Sequence, residues 1–440
     1  MSERPRLSVI GTGYLGATHA VCMVELGYEV IGLDIDKTKI DRLLAGKVPF
    51  FEPELPELLA KHIDSGNLRF TTSYAEVADF ADIHFVCVGT PQRAGELAAD
   101  LTHVEAAFRS LAEHLTRKVL VVGKSTVPAG TAVRMEQILQ DVSPCPDVEL
   151  VWNPEFLREG FAVRDTLRPD RLVFGVRSEW AEHRIRAAFE PVIKAGTPVI
   201  VTDFATAELV KVAANSFLAT KISFINAMAE ICETTGADVT QLADAIGYDD
   251  RIGRRFLNAG LGFGGGCLPK DIRAFIARAG ELGVDQAVSF LREVDSINQR
   301  RRVRTVEIGL DLMDGSYRGA KVAALGAAFK PNSDDVRDSP ALDVAAAIGR
   351  REGEVMIYDP QAIANARLKH PELSYADSLE DALEDADIVF LLTEWAEFRS
   401  MHPGVIGKIV ARRNIVDGRN VLDPVRWRAA GWQYRALGRP

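Results

Sequence analysis

Apolar runs short enough for buried strands alternate along this chain with segments whose apolar positions recur at helical spacing. Leu7 to Ile10 is the first such run. A helical stretch follows through Leu26, Gly27 stops it, and Glu29 to Leu33 forms a second run ending at Asp34. Ala81 to Val88 and Val119 to Gly123 are further continuous apolar runs. The first ends in Gly89-Thr90-Pro91, the second in Lys124-Ser125-Thr126-Val127-Pro128. Runs without polar alternation fit strands covered on both faces, as in a parallel sheet. The plan recurs towards the C-terminus, where Lys321 to Gly326, Glu354 to Tyr358 and Ala386 to Leu392 read as strands and Pro340 to Arg350 as a helix. The likeness of Ala81-Asp82-Ile83 and its run to Ala386-Asp387-Ile388 and its run points to two related doubly wound α/β domains. Between them the pattern is helical, with apolar positions at Leu209, Val212, Ala213, Phe217 and Leu218. The expected division is residues 1–205, a central helical region 206–313, and residues 314–440.

The segment between the first two strands reads Gly11-Thr12-Gly13-Tyr14-Leu15-Gly16. In this strand–turn–helix context it is the Rossmann dinucleotide fingerprint. Gly11 permits the tight turn, Gly13 lets backbone N–H groups approach a pyrophosphate, and Gly16 allows close packing of a helix whose dipole favours the anion. Asp34, at the end of the second strand, suits a ribose diol and repels a 2′-phosphate, which favours NAD over NADP. The second domain lacks this fingerprint, so it either holds a nucleotide differently or is structural. Thr90 and Thr126 fall at carboxyl ends of strands, where a ligand lies in an open parallel sheet. Their hydroxyls fit a cofactor contact or a helix cap equally well.

Composition narrows the classes. The 440 residues are 47% hydrophobic and 26% charged, with a formal charge of −10. No stretch approaches the roughly 18 unbroken apolar residues of a membrane span. A soluble globular protein is expected, and the polar segment Met1 to Arg6 carries no export signal. Five cysteines, odd in number and irregular in spacing, favour a reducing cytoplasm over a disulfide framework. The acidic balance argues against general nucleic-acid binding, and the basic run Arg300-Arg301-Arg302 with Arg304 reads as a solvated helix face with acids nearby. Any anionic ligand must meet a local cluster. No HExxH, CxxC or GxSxG pattern is present, so neither a metal site nor a serine elbow has support.

The most unusual segment is Gly260-Leu261-Gly262-Phe263-Gly264-Gly265-Gly266-Cys267-Leu268-Pro269-Lys270-Asp271. Its glycines suggest exposed backbone N–H groups that wrap a ligand. Pro269 and the apolar pattern at Ile272, Phe275 and Ile276 predict a helix starting there. Cys267 would then sit at a helix N-terminus beside Lys270, an environment that favours the thiolate, with Asp271 four residues on. Cys22, Cys87 and Cys232 lie in apolar segments and read as packing residues. Asn153-Pro154-Glu155-Phe156-Leu157-Arg158-Glu159-Gly160 follows an apolar run, which places carboxylates at a strand end. Lys211 and Asn215 are one helical turn apart, either facing a cleft or, for Lys211, snorkelling to the surface. A nicotinamide cofactor accounts for hydride transfer and a nucleophilic thiol for aldehyde capture, so together they imply an alcohol taken past aldehyde to acid.

These motifs, with Lys211 to Ile225, Gly326 to Pro340, Tyr358-Asp359-Pro360, Thr393-Glu394-Trp395 and Asp417-Gly418-Arg419-Asn420, resemble the nucleotide-sugar 6-dehydrogenases of the UDP-glucose/GDP-mannose dehydrogenase family. The segment Ala213-Ala214-Asn215-Ser216-Phe217 is most similar to the UDP-glucose branch; the sister branches act on UDP-N-acetylmannosamine or GDP-mannose. Gly266 and Leu268 depart from the serine and phenylalanine common in the family. The resemblance implies NAD-dependent, four-electron oxidation of UDP-glucose to UDP-glucuronate through a thiohemiacetal and a thioester on Cys267. It implies Lys211 and Asn215 as oxyanion donors, and Thr126, Glu155 and Asp271 as residues that position or deprotonate water. Gly11, Gly13, Tyr14, Leu15, Gly16, Asp34, Lys39, Thr90, Thr126, Glu159, Lys270 and Arg337 match cofactor contacts. Glu155, Phe156, Leu157, Arg158, Glu159, Lys211, Asn215, Asn258, Leu261, Gly262, Phe263, Gly264, Phe329, Lys330 and Arg419 match contacts to the UDP-sugar. Arg251 matches an arginine that reaches the substrate from a neighbouring subunit, which implies a homodimer or a higher homo-oligomer. A non-catalytic nucleotide-binding module is the alternative of another class, and the intact Cys267, Lys211 and Asp271 set argues against it.

Overall fold

The computed structural model describes Arg4 to Pro440. The chain forms two compact units, one comprising residues up to Ala214 with Arg273–Gly283, the other Asn215–Ile272 with Val284–Pro440. Two of the three boundaries fall inside helices, Phe204–Thr235 and Leu268–Glu281, and the third in the turn after the second of these.

The first unit carries an eight-stranded sheet: β1 (Leu7–Ile10), β2 (Val30–Leu33), β3 (Leu68–Thr71), β4 (Ile83–Val86), β5 (Leu120–Gly123), β6 (Glu149–Trp152), β7 (Leu172–Gly175) and β8 (Val199–Thr202), in the order β3-β2-β1-β4-β5-β6-β7-β8. All neighbours are parallel except β6 and β7, which meet antiparallel at Trp152 and Gly175. The strands are continuous apolar runs because both sheet faces are covered. Period-two alternation still divides them: Leu7, Val9, Ile83, Phe85, Leu120 and Val122 pack into one core, and Ile10, Val86 and Val121 into the other. The expected strand Ala81 to Val88 shortens to β4. The Asp82 carboxylate before it accepts from the Arg6 amide (3.0 Å) and the Arg117 guanidinium (3.0 Å), and Cys87 and Val88 already belong to the loop that leaves the sheet.

The second unit repeats the order. Its sheet of β9 (Lys321–Leu325), β10 (Glu354–Tyr358), β11 (Ser374–Tyr375), β12 (Ile388–Leu391), β13 (Asn414–Asp417) and β14 (Gln433–Ala436) is parallel and runs β11-β10-β9-β12-β13-β14. In both sheets the order therefore reverses beside the first strand, β1 next to β4 and β9 next to β12. Ligands of doubly wound folds bind at this switch point, beyond the strand carboxyl ends.

The second long helix, Phe290–Leu312, corrects one expectation. Arg301 and Arg302 are buried rather than on a solvated face. Arg301 pairs with Glu233 at 2.5 Å, and Arg302 with Asp338 at 2.9 Å and with Asp343. Acids do lie nearby, but they come from other elements and take the guanidiniums inside, where a partnered charge is tolerated.

The glycine turn shows what sets the helix against the sheet. Gly11 has φ +87°, and a Cβ on Gly16 would sit 1.8 Å from the Gly11 carbonyl oxygen, whereas one on Gly13 would meet nothing within 4 Å. Gly16→Ala should therefore lower stability by about 1–3 kcal/mol, the usual cost of forced overpacking. Gly13→Ala should cost less than about 1 kcal/mol. Thermal unfolding of the two variants checks the contrast.

Candidate active site

At the end of β2 the Asp34 carboxylate is nearly buried and already orders the glycine turn. Its Oδ2 accepts from the Thr12 amide (2.9 Å) and hydroxyl (3.1 Å), and Lys39 Nζ lies 3.4 Å away. The open space over Gly13 and this acid fit an adenosine diphosphate: the first admits a pyrophosphate to the helix start, the second a ribose diol. Tyr14, within the turn, points its hydroxyl at the buried Glu52, whose carboxylate also accepts from the amides of Gly160 (2.6 Å) and Ala162 (2.7 Å). Glu52 thus ties the turn to the Asn153–Gly160 segment.

The ends of β4, β5 and β6 lie side by side. The Thr90 hydroxyl donates to the Thr126 carbonyl (2.7 Å) and the Ser125 hydroxyl to the Val88 carbonyl (2.6 Å), so these loops are bound to each other. Past β6, Glu155 accepts from the Leu157 amide at 2.7 Å and pairs with Lys211 Nζ at 3.1 Å. Both side chains are largely shielded from solvent, which rules out snorkelling for Lys211. The Lys211 ammonium also lies 5.6 Å from the centre of the Phe156 ring. Glu159 is buried, whereas the Arg158 guanidinium is exposed and held bidentate by Asp165 at 2.7 and 2.8 Å.

In the second unit the predicted helix starts at Leu268, and the Cys267 carbonyl accepts from the Asp271 amide at 2.9 Å. Cys267 is therefore the N-cap residue of that helix, and its side chain is exposed. Asp271 is 2% exposed and accepts from Asn215 Nδ2 (2.6 Å) and Lys270 Nζ (2.7 Å). Asn215 lies one turn beyond Lys211 on the same helix.

The glycine-rich loop differs in part from expectation. Four of its amides do not project: Gly260 N–H donates to Asn226 Oδ1 (2.9 Å), Leu261 N–H to the Gly418 carbonyl (2.8 Å), Phe263 N–H to Asn298 Oδ1 (2.8 Å) and Gly265 N–H to the Arg337 carbonyl (2.9 Å). The glycines serve close approach instead. A Cβ on Gly262 would lie 2.3 Å from Asn298 Oδ1, on Gly264 2.2 Å from the Asp338 carbonyl oxygen, and on Gly266 2.3 Å from the Arg337 guanidinium carbon. Arg337 itself is bidentate to Asp335. Leu261 and Phe263 are buried.

Around this loop, Arg419 donates to the carbonyls of Leu392 (2.7 Å), Gly262 (2.9 Å) and Phe329 (3.3 Å) and lies 3.3 Å from Glu394, the geometry of a strut between loops. Burial, with Arg302 nearby, lowers its pKa, against the opposing pull of Glu394. Lys330 Nζ lies 5.3 Å from the centre of the Phe329 ring. Asn258 is exposed and accepts from Arg254, and Arg251 is exposed and bidentate to Asp249. Among the described residues no group of three or more histidines, cysteines or acids could hold a metal ion, and no helix is long and apolar enough to cross a membrane.

Comparison with known proteins matches three consecutive domains of one family: its NAD binding domain over residues 5–193, its central domain over 205–300 and its UDP binding domain over 323–424. The chain belongs to the UDP-glucose/GDP-mannose dehydrogenase family. It is similar to the UDP-glucose 6-dehydrogenase TuaD of Bacillus subtilis, 41% identical over 99% of this chain and 93% of that one. It is also similar to a Rhizobium meliloti UDP-glucose 6-dehydrogenase, 39% identical over 99% and 100%. A solved UDP-glucose dehydrogenase from Pyrobaculum islandicum superposes with a TM-score of 0.91 at 36% identity, covering 100% of this chain and 99% of that one. Membership makes the protein an NAD-dependent oxidoreductase, and the open glycine turn and Asp34 fit that cofactor.

Pattern alone did not single out Glu52, Lys124, Asn298 and Arg302 as buried, partnered residues next to those described above. Each is a polar residue in or beside an apolar element, and its partner lies far away in sequence. Cysteine reactivity tests the site directly. Burial pushes the Cys22 and Cys87 thiols up to about 12 and also raises Cys232. In the native protein iodoacetamide should modify Cys267 first, and Cys22, Cys87 and Cys232 only after unfolding; peptide mass spectrometry over time reads the order.

Proposed function

We propose that this protein oxidises UDP-glucose to UDP-glucuronate, with two NAD reduced per sugar. The observation that carries the reading is the exposed Cys267 at a helix start, in a chain where Cys22, Cys87 and Cys232 are buried and Cys145 is partly buried. NAD, when bound, accepts a hydride at each of the two oxidations. Every other function falls to side chains. Cys267 adds to the C6 aldehyde as thiolate, the carbonyl oxygen taking the proton, to give a thiohemiacetal. After loss of a second hydride and the hydroxyl proton it holds the carbon as a thioester. Water then attacks, the C–S bond breaks, and the acid leaves with the thiol restored. Lys211 and Asn215 donate to the oxygen as its negative charge grows. Glu155, Thr126 and Asp271 position or deprotonate water. The remaining cofactor and sugar contacts are those assigned by residue above, and the functional division is residues 1–205, 206–313 and 314–440.

We further place the protein in the cytoplasm as a homodimer or higher homo-oligomer. Phe217, Phe224 and Ile231 recur every seven residues on the helix Phe204–Thr235 and are half or more exposed, a stripe suited to a second copy of the chain. Arg251 would then serve the neighbouring subunit.

UDP-glucose, UDP-N-acetylmannosamine and GDP-mannose, offered in parallel, should give NADH with UDP-glucose at two per sugar. Turnover with one of the others alone would move the substrate assignment to that branch. Cys267→Ser should abolish steady turnover while leaving UDP-glucose and NAD binding within about threefold, since binding does not use the thiolate; persisting activity would refute the thioester route.

A further inference from the structure

Behind the Lys211–Glu155 pair lies a second lysine that this chemistry does not use. Lys124 directly follows β5 and is 6% exposed. Its ammonium donates to Asn153 Oδ1 at 2.9 Å and lies 5.7 Å from the centre of the Phe189 ring. Asn153, directly after β6, is 1% exposed and donates on to the Val173 carbonyl at 3.0 Å. Backbone bonds hold the same two residues, Lys124 N–H to the Val86 carbonyl (3.0 Å) and Asn153 N–H to the Gly123 carbonyl (2.8 Å). Two residues past Asn153 the chain presents Glu155.

Burying an ammonium against a neutral amide is costly, and a methionine would fill the space without that cost. The charge therefore needs a reason beyond packing. The titratable groups that act on it come from every element around it: Cys87 past β4, Glu155 past β6, Lys211 from the helix Phe204–Thr235, and His19 from the helix Tyr14–Glu25. Burial is the largest influence on Lys124 and lowers its pKa; Cys87 and Glu155 oppose that, and Lys211 adds to it. His19 is held neutral, first by burial and then by the Lys124 charge, with its ring edge-on to Phe85.

We infer that Lys124 is a positioning residue for the reaction: it fixes the strand end that presents Glu155 and supplies the positive field in which Glu155 and Lys211 work. The inference rests on the roles proposed for those two residues. A positive charge favours a neighbouring carboxylate over its neutral acid and an amine over its ammonium, so removing it moves the pH dependence of the reaction to higher pH. At the effective dielectric of protein sites, a charge several ångströms away is worth about one pH unit or more.

In Lys124→Met, kcat at neutral pH should fall by about tenfold or more, KM for UDP-glucose should stay within about threefold, and the acidic limb of the pH–kcat profile should move up by about one unit. Lys124→Gln, which keeps a donor but no charge, should show the same movement with a smaller loss of kcat. If Lys124→Met fails to fold, Asn153→Asp sets a carboxylate against the ammonium and should move the limb in the same direction. A wild-type profile in the variants that fold overturns the inference. The wild-type protein, measured alongside for two NADH per UDP-glucose, separates that failure from a failure of the functional reading.

Discussion

In each unit, glycines of the candidate site lie closer to neighbouring backbone or side chains than a β-carbon would allow. Gly16 brings the first helix onto the Gly11 carbonyl, and Gly262, Gly264 and Gly266 bring the loop before Cys267 onto Asn298, Asp338 and Arg337. These contacts are van der Waals exclusions, short-ranged and steep, so they locate a loop to within a fraction of an ångström. In the first unit this leaves the helix start open at Gly13. In the second it fixes the approach to the helix that Cys267 caps.

Several buried charges follow a second rule: a partner distant in sequence meets them. Lys211 meets Glu155, Asp271 meets Asn215, and Arg302 meets Asp338 and Asp343. An acidic chain thus keeps several cations inside its working regions, where they raise the local potential without altering the net charge of −10. The two sheets share one strand order but use the acid after the second strand differently. Asp34 caps the glycine turn and retains a place for a diol. Asp359, after β10, accepts from the amides of Ala327, Ala328, Gln361 and Ala362 and from Trp395 Nε1, and is saturated by its own fold. The second sheet therefore does not repeat the dinucleotide corner of the first, in keeping with its match to a UDP binding domain.

Much of this was legible beforehand because it depends on local geometry. Apolar runs named β1, β2, β4 and β5 of one sheet and β9, β10 and β12 of the other, with ends trimmed where a polar group such as Asp82 takes a partner, but not edge strands such as β3, β8, β11 and β14. Gly11, Gly13 and Gly16 announced the turn, and Pro269 the helix that makes Cys267 an N-cap residue. Lys211 remained ambiguous until Glu155 was seen beside it, since a lysine among apolar neighbours looks the same whether it snorkels or is buried. The basic run around Arg301 was misread for the same reason: its acids, Glu233, Asp338 and Asp343, are distant along the chain.

By itself, then, the order of residues determined the element types, the turn that fits a dinucleotide and the place of Cys267 at a helix start, all of which rest on backbone sterics and spacing over a few residues. Only the tertiary structure decided that Gly262, Gly264 and Gly266 serve close packing, and that Lys211, Lys124 and Arg302 are interior charges. Burial and charge pairing depend on distance in space, which residue spacing along a chain does not record.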